Sequence, residues 1–364
     1  MKFIHIADCH LDMPYVALNN NKDLSKKRKL EQKYILKKVI TYIKESNVEL
    51  LFISGDLFEQ STVQIDTINY IISLFREIPN VKIYITPGNH DPLIKNSPYN
   101  TFEFPDNVFI FSNELGIDKY KELTIYGLGF NNYEMNSLEL STVNLNKEEI
   151  NVLITHGTLN GNSKKYHDIP EKWISNFDYV ALGHIHQKKI DSTKIIYPGS
   201  LIATGFDEPG THGMVVGEIY YEDENKKRIP FAALNNPNIE KKSKVVKYKF
   251  VKMDDTEFET IDIDISEYYS INEIIDALNL ENNIYKIILN GIKNVSIDTL
   301  IETIKISNSN VCQIIDNTIE DFDLEKISKQ NNLKGVFTKK ILKYLEKNPD
   351  KKDIVKKAIN YIYN

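Results

Sequence analysis

Seven residues of three chemical types stand in five short motifs: Asp8-Cys9-His10, Gly55-Asp56, Gly88-Asn89-His90-Asp91, His156-Gly157 and Gly183-His184-Ile185-His186. Asp8, His10, Asp56, Asn89, His156, His184 and His186 together offer imidazole nitrogens and carboxylate and amide oxygens. That donor set suits borderline-hard divalent metals such as Mn²⁺, Fe²⁺ or Zn²⁺, and it requires no thiolate. Two ions ~3.5–4 Å apart can clamp the attacking and leaving oxygens of a phosphate, and they need a shared carboxylate to offset their repulsion. Asp56, central in the order, is the natural bridge. Each motif alone is weak: a lone Asp-x-His is usually a surface turn, and Gly-Asp after a strand is weaker still. Gly-Asn-His-Asp is more specific, because Gly-Asn permits a tight positive-φ turn that aims the next side chain. Gly-His-x-His is more specific again, since two imidazoles at i and i+2 reach out together. The order of all five is the signal.

Every motif follows directly on an apolar run, namely Phe3–Ala7, Leu50–Ser54, Val81–Thr86, Val152–Thr155 and Tyr179–Leu182. These read as buried strands, as do Val108–Phe111, Leu123–Leu128, Ile195–Tyr197 and Met214–Ile219. Helical spacing of apolar residues predicts helices over Leu30–Glu45 and Thr67–Arg76. Strands separated by helices predict an α/β domain with substantial parallel pairing over residues 1–235. In such a sheet the strand ends gather at one crevice, so side chains spread over nearly 180 positions can converge. Asn235-Asn236-Pro237-Asn238 reads as a turn and linker. Residues 236–253 are then expected to form a linker and a first cap strand, 254–325 a small α+β capping domain, and 326–364 a helix pair with two apolar stripes.

At 364 residues the chain is long enough for two or three units. A net charge of −6 and a pI near 5.8 argue against a protein coated in basic surface, so a nucleic-acid substrate needs a local patch or a partner. Charge is uneven: residues 254–325 hold 17 acidic and 3 basic side chains, and 326–364 hold 11 basic and 3 acidic. Cys9 and Cys312 are too far apart in sequence to suggest an oxidised framework. The N-terminus lacks a signal-peptide pattern, and no apolar stretch reaches the ~18 residues a membrane span needs. A cytoplasmic location and no membrane association are the expectation.

The five motifs resemble those of the calcineurin-like metallophosphoesterases. The contexts Gly55-Asp56-Leu57-Phe58, Asp178 to His186, and Tyr197-Pro198-Gly199-Ser200 look like the SbcD-type DNA-repair exonucleases. The opening Asp8-x-His10-Leu11-Asp12-x-Pro14 looks closer to the YhaO branch of that group. The resemblance covers 1–235, and more loosely the acidic unit, and implies a four-layer α-β-β-α sandwich with a capping domain. It implies that Asp8, His10, Asp56 and His186 hold one metal and Asp56, Asn89, His156 and His184 the other, with Mn²⁺ the expected ion. His90 is then a catalytic residue above the metals, protonating the leaving oxygen or stabilising charge on phosphorus, and not a ligand. A water between the ions would attack phosphorus in line. The partner implied for the basic C-terminal helices is a long coiled-coil, SMC-like ATPase. Whether one chain or a homodimer is the working unit stays open.

One position departs from that group: Glu59 stands where the archaeal and eukaryotic relatives carry a His that helps position DNA. A carboxylate there would repel a phosphodiester. Outside the motifs, His5 alternates with Phe3 and Ala7 and reads as a buried core histidine; His167 and His212 read as solvated, with an approach to the site as the alternative for His212, which follows the Pro198-Gly199-Ser200 motif. Cys9 reads as a small buried filler. The eight basic residues of Lys22–Lys38 read as a solvated helix face, with a phosphate-tracking patch as the functional alternative. Lys241, Lys242, Lys244, Lys247, Lys249 and Lys252 form a second basic stretch. Three functions follow for testing: a DNA exonuclease or endonuclease subunit; a phosphodiesterase or phosphatase for a small or lipid-linked phosphate; and a scaffold without chemistry, which the cost of burying metal-free carboxylates opposes.

Overall fold

The computed structural model describes all residues except 137–142, 163–164, 231–232, 235–241, 321, 352–353, 356–357, 360–361 and 363–364. Two compact units divide the chain, Met1–Glu257 and Phe258–Asn364.

In the first unit two sheets stack. One holds the parallel strands Lys2–Ile6, Leu50–Ile53, Lys82–Ile85 and Val108–Ile110, extended by the antiparallel Gly213–Glu222. The other is built on the parallel strands Leu123–Leu128, Ile150–His156, Tyr179–Gly183 and Ile195–Tyr197. Strand side chains alternate between faces, and the alternation here separates three cores. Phe3, Leu50, Phe52, Ile150, Val152 and Tyr179 pack between the sheets. Ile4, Leu51, Ile53 and Ile83 face the helices Lys22–Ser46 and Ile65–Arg76. Leu153, Val180 and Leu182 face the short helix Glu171–Ile174. This is the α-β-β-α sandwich expected, with a thin outer layer over the second sheet among the described residues. Because both faces are covered, the strands read as near-continuous apolar runs, which is why the sequence shows them so clearly.

The first long helix begins at Lys22, eight residues before the predicted start. Asn21 caps it, its side chain accepting from Leu24 N at 3.1 Å. Apolar periodicity missed these two turns because inward positions 28 and 32 are polar. Arg28 is 1% exposed and bonded to Asp254 at 2.7 Å and to Ala203 O at 2.9 Å. Gln32 Nε2 donates to His10 O at 3.1 Å. The helix therefore holds the first motif through Gln32, and of the eight basic residues that read as a solvated face Arg28 is instead buried. Its lysines are largely matched: Lys26 by Asp23, Lys27 by Glu31, Lys33 by Asp12 and Lys37 by Glu77.

A second difference lies at the unit boundary. Ser243–Lys252, expected as a first cap strand, pairs antiparallel along the whole of Gly213–Glu222. Val246, Tyr248 and Phe250 pack on the inter-sheet core, and burying them ties this segment to the first unit. Lys247 and Lys249 share the opposite face, as a strand requires.

The second unit holds three parallel strands, Phe258–Asp264, Ile284–Asn290 and Val311–Asp316, joined through the helices Ile271–Leu278 and Ile297–Ser307. Ser270 and Ser296 cap the helices, accepting from Glu273 N at 3.3 Å and Thr299 N at 3.5 Å. Its core is aliphatic, around Ile265, Ile274, Ile287, Leu289 and Leu300. Helices Leu324–Ser328 and Leu333–Lys347 follow. Of the helix expected beyond them, Ile354, Val355, Ala358, Ile359 and Ile362 are described and helical, and Ile359 is buried.

Candidate metal centre

The five motifs meet where the C-terminal ends of both parallel sets open on one crevice. The sheets are tied there: Ala7 bridges Ser200, and His156 Nδ1 donates to Ser54 O at 2.8 Å. Asp8, His10, Asp56 and His184 all have positive φ, at 50°, 43°, 53° and 100°. A non-glycine residue in this region costs roughly 1–2 kcal/mol, and such strain persists where the surroundings over-determine it. It turns each side chain off its strand end into the crevice.

Gly88 is required for a different reason from the one expected. Neither Gly88 nor Asn89 has positive φ; a Cβ on Gly88 would lie 2.2 Å from Asp56 Oδ1. Likewise a Cβ on Gly183 would lie 1.9 Å from Ser54 O. The glycines of these motifs permit close approach.

Asp91 binds two of the turns together. Its buried carboxylate accepts from the amides of Asp56 at 3.0 Å, Leu57 at 2.7 Å and Gly88 at 2.6 Å, and from the Tyr99 hydroxyl at 2.6 Å. Burial and the neighbouring Asp56 charge push it up to about 6 against those donors. Asp12 performs a similar task one loop away, accepting from Gln64 N at 3.0 Å and from the Thr67 hydroxyl, which fixes the start of the Ile65–Arg76 helix.

Asp56 Oδ1 accepts from His90 N at 2.8 Å, leaving Oδ2 between two imidazoles, 3.3 Å from His156 Nε2 and 3.6 Å from His10 Nε2. On one side of it, Asp8, His10 and His186 bring donor atoms within 4.8 Å of one another. On the other, Asn89 Oδ1 lies 3.0 Å from His156 Nε2 and 3.2 Å from His184 Nδ1. All seven sequence-selected side chains thus enter one site, with Asp56 where the two groups join. His184 enters through Asn89 and through its amide, which Asp8 accepts at 3.0 Å.

The donor set fits a pair of cations. His10 Nε2 and His186 Nε2 face each other at 3.0 Å, and His10 Nδ1, 3.9 Å from Glu59 Oε2, is buried without a hydrogen-bond partner among the described residues. Asp8 and Asp56 are wholly buried, where carboxylates demand a counter-charge. Burial opposes the charge on Asp56, but His156, His10 and His90 outweigh it and hold the carboxylate well below its usual range. Burial likewise opposes a charged His156, yet Asp56 and Asp8 raise it to about 9. Divalent ions would displace such protons as they bind.

His90 stands apart. Its ring is 45% exposed, and its Nδ1 bonds Glu59 Oε2 at 2.7 Å. That bond raises the His90 pKa against burial. On Glu59, burial is outweighed by His10 and His90, which lower it to about 2. Glu59 therefore meets an imidazole and does not present a bare carboxylate to the crevice. His90 also comes within ligand range of His10 and Asp56.

Among the remaining histidines, His5 is buried as expected, 2.7 Å from Ser54 Oγ and 3.0 Å from Tyr179 OH. Cys9 is buried among apolar side chains, also as expected. His167 and His212 are buried too, contrary to the sequence reading, at 0% and 3% exposure. His167 Nδ1 lies 3.0 Å from His156 O, and Tyr166 beside it packs on the His184 ring. Sequence reading gave no site role to Asp91, Tyr166 or Glu208. Asp91 closes the Gly88-Asn89-His90-Asp91 motif and Glu208 lies between Pro198-Gly199-Ser200 and His212, and these are their local signals in the sequence.

A crevice with two buried carboxylates and converging imidazoles at the strand ends of an α-β-β-α sandwich defines a metal-dependent phosphoesterase. The family profile of the calcineurin-like phosphoesterases matches residues 1–188, more than half the chain, and the chain belongs to that family. Members hydrolyse phosphoesters at a dinuclear divalent metal centre. An uncharacterized metallophosphoesterase of Bacillus subtilis, YhaO, is 27% identical over 246 residues, 61% of this chain and 59% of that relative. The chain thus matches over somewhat less than two thirds of the relative's length. Among the described residues no helix is long and apolar enough to cross a membrane.

Proposed function

We propose that the chain is a Mn²⁺-dependent phosphodiesterase acting on DNA, as an exonuclease or endonuclease subunit that works with a coiled-coil ATPase. The observation that carries the hydrolytic reading is the placement of Asp56 Oδ2 between the imidazoles of two donor groups. Asp8, His10, Asp56 and His186 would hold one ion, and Asp56, Asn89, His156 and His184 the other. The pair would supply charge to the phosphoryl oxygens and a nucleophile at neutral pH. The protein's own part is geometric and protic. Asp91 holds the turns of Asp56 and Asn89 in register, and Glu59 keeps a hydrogen on His90 Nδ1. His90 then stands at the open rim of the site, where its other nitrogen can deliver a proton to the departing oxygen.

The DNA reading draws on the likeness of the motif contexts to SbcD-type nucleases and on the Glu59–His90 pair, which removes the repulsion expected from a free carboxylate. The partner reading draws on helix Leu333–Lys347, where Leu333, Val336 and Tyr344 are exposed, Leu333 at 85%. A basic helix that exposes Leu333, Val336 and Tyr344 on one side fits an acidic helical partner. One observation favours the second reading, a small or lipid-linked phosphate: the lysines of Lys22–Ser46 are mostly matched by the chain's own carboxylates and oxygens.

The deciding assay supplies Mn²⁺ and end-labelled linear duplex DNA, a chromogenic phosphodiester and a phosphomonoester to the full chain, with Asp56→Asn as control. DNA shortening or nicking that disappears in the variant supports the nuclease. Turnover of small esters with intact DNA supports the second reading.

A further inference from the structure

The Pro198-Gly199-Ser200 turn and the turn at His212 flank Glu208, an acid only 7% exposed whose charge must be matched inside the protein. Its Oε1 accepts from His186 Nδ1 and from the Thr204 hydroxyl at 2.6 Å; its Oε2 accepts from the Thr204 amide at 3.0 Å. The backbone that carries it is held as well. Its carbonyl accepts from His212 Nε2 at 3.0 Å. A carbonyl can only accept, so His212 Nε2 carries a hydrogen, and its Nδ1 lies 2.8 Å from the Ser200 hydroxyl and 3.3 Å from the Ser200 carbonyl. Ser200 N in turn donates to His186 O at 2.8 Å. His212 and Ser200 therefore brace the loop that presents Glu208 to His186, and both ends of the brace close on the same histidine.

The consequence falls on the second nitrogen of His186. A carboxylate oxygen accepts, so Nδ1 keeps its hydrogen, and Nε2, 3.0 Å from His10 Nε2 and beside Asp8, is the nitrogen left to meet an ion. We propose that Glu208 is a positioning residue that fixes the ring and the tautomer of His186 as a ligand to one ion only, the one shared by Asp8, His10, Asp56 and His186. This inference rests on the two-ion reading above. Carboxylates behind metal-bound imidazoles orient the ring and raise its basicity. The Asn89–His156–His184 side of the site has no bond to Glu208 among the described residues and keeps its own support, Ser54 O behind His156 Nδ1.

The test is manganese titration of metal-stripped, full-length protein by calorimetry and EPR, with thermal melting of the metal-free forms alongside. Wild type, Glu208→Gln and Glu208→Ala are compared. The expected result is two ions in wild type and, in Glu208→Ala, one ion weakened by roughly 10–100-fold with the other unchanged. Glu208→Gln, near in shape and still able to accept from Nδ1, falls between and melts close to wild type. Two ions bound with wild-type affinity in both variants would overturn the role of Glu208. So would equal weakening of both ions in Glu208→Gln, since that would mark a merely structural residue. Wild-type protein that binds fewer than two ions overturns the two-ion reading itself, and the inference with it.

Discussion

The two units differ in the polar groups they bury. In Met1–Glu257 the interior takes in Asp8, Asp56, Asp91, Arg28, His5, His156 and His167, none more than 2% exposed. In Phe258–Asn364 the buried polar side chains among the described residues are hydroxyls, Thr318, Ser328 and Thr338. The second unit gathers exposed apolar side chains along one helix, with Leu333, Val336 and Tyr344 among the described residues, whereas those of the first unit, such as Val16, Ile65 and Ile117, are scattered. A buried charge is tolerated only where partners or ions answer it, and an uncovered apolar face persists where something else covers it. The first unit is thus built around a reaction and the second around an aliphatic core and an outward face.

The sharpest way to break this contrast is at Asp56. If its Oδ2 joins two ions, Asp56→Asn loses both and turnover falls to background, while His10→Ala keeps one; metal analysis of the purified variants decides it. Two ions retained in Asp56→Asn would remove the bridge. A smaller effect is expected at His90, which leans on Glu59 at the rim. His90→Ala keeps its metal content while turnover drops roughly 10²–10⁴-fold, the usual span for a general acid. Metal loss in that variant would make His90 a ligand.

The second unit gives the converse experiment. Removing residues 334–364 is expected to leave hydrolysis of a small chromogenic phosphodiester largely intact and to abolish co-purification with the proposed coiled-coil ATPase. Retained binding would place the docking face elsewhere, and lost hydrolysis would join these helices to the catalytic fold.

The smallest effect concerns a charge that the first unit refuses. Burial lowers His5 to about 3, against the pull of the Leu182 backbone carbonyl, and the ring sits neutral between Ser54 and Tyr179. The unfolded chain takes up a proton there below about pH 6.5, so the stability from a neutral His5 is complete above that pH. It is lost as pH falls from 6.5 toward 3, at about 1.4 kcal/mol per pH unit. Urea unfolding of metal-free wild type and His5→Gln between pH 7 and 5 should show the shallower slope in the variant. Parallel slopes would mean that His5 charges in the folded state.

Particular residues show where sequence reading stops. The strands were legible because Phe3–Ala7 or Tyr179–Leu182 are apolar on both faces, a pattern that solvent-facing segments do not produce. The start of the Lys22–Ser46 helix was not, because Arg28 and Gln32 occupy inward positions, and a periodicity of hydrophobicity is blind to a buried polar residue whose partner is distant. Arg28 meets Asp254 across 226 positions. Only the closed sandwich brings that partner near.

The same division holds at the site. The chain alone determined which donors exist, that each follows a strand, and that Asp56 stands in the middle of their order, because those are properties of residue type and local spacing. Tertiary structure alone decided that Glu59 would pair with His90, that Asp91 would clamp two turns, and that His212 and Ser200 would brace Glu208 against His186. Each of these is a hydrogen bond between groups whose separation in space has no fixed relation to their separation in sequence. Directional bonds of about 3 Å are settled only when every layer has packed.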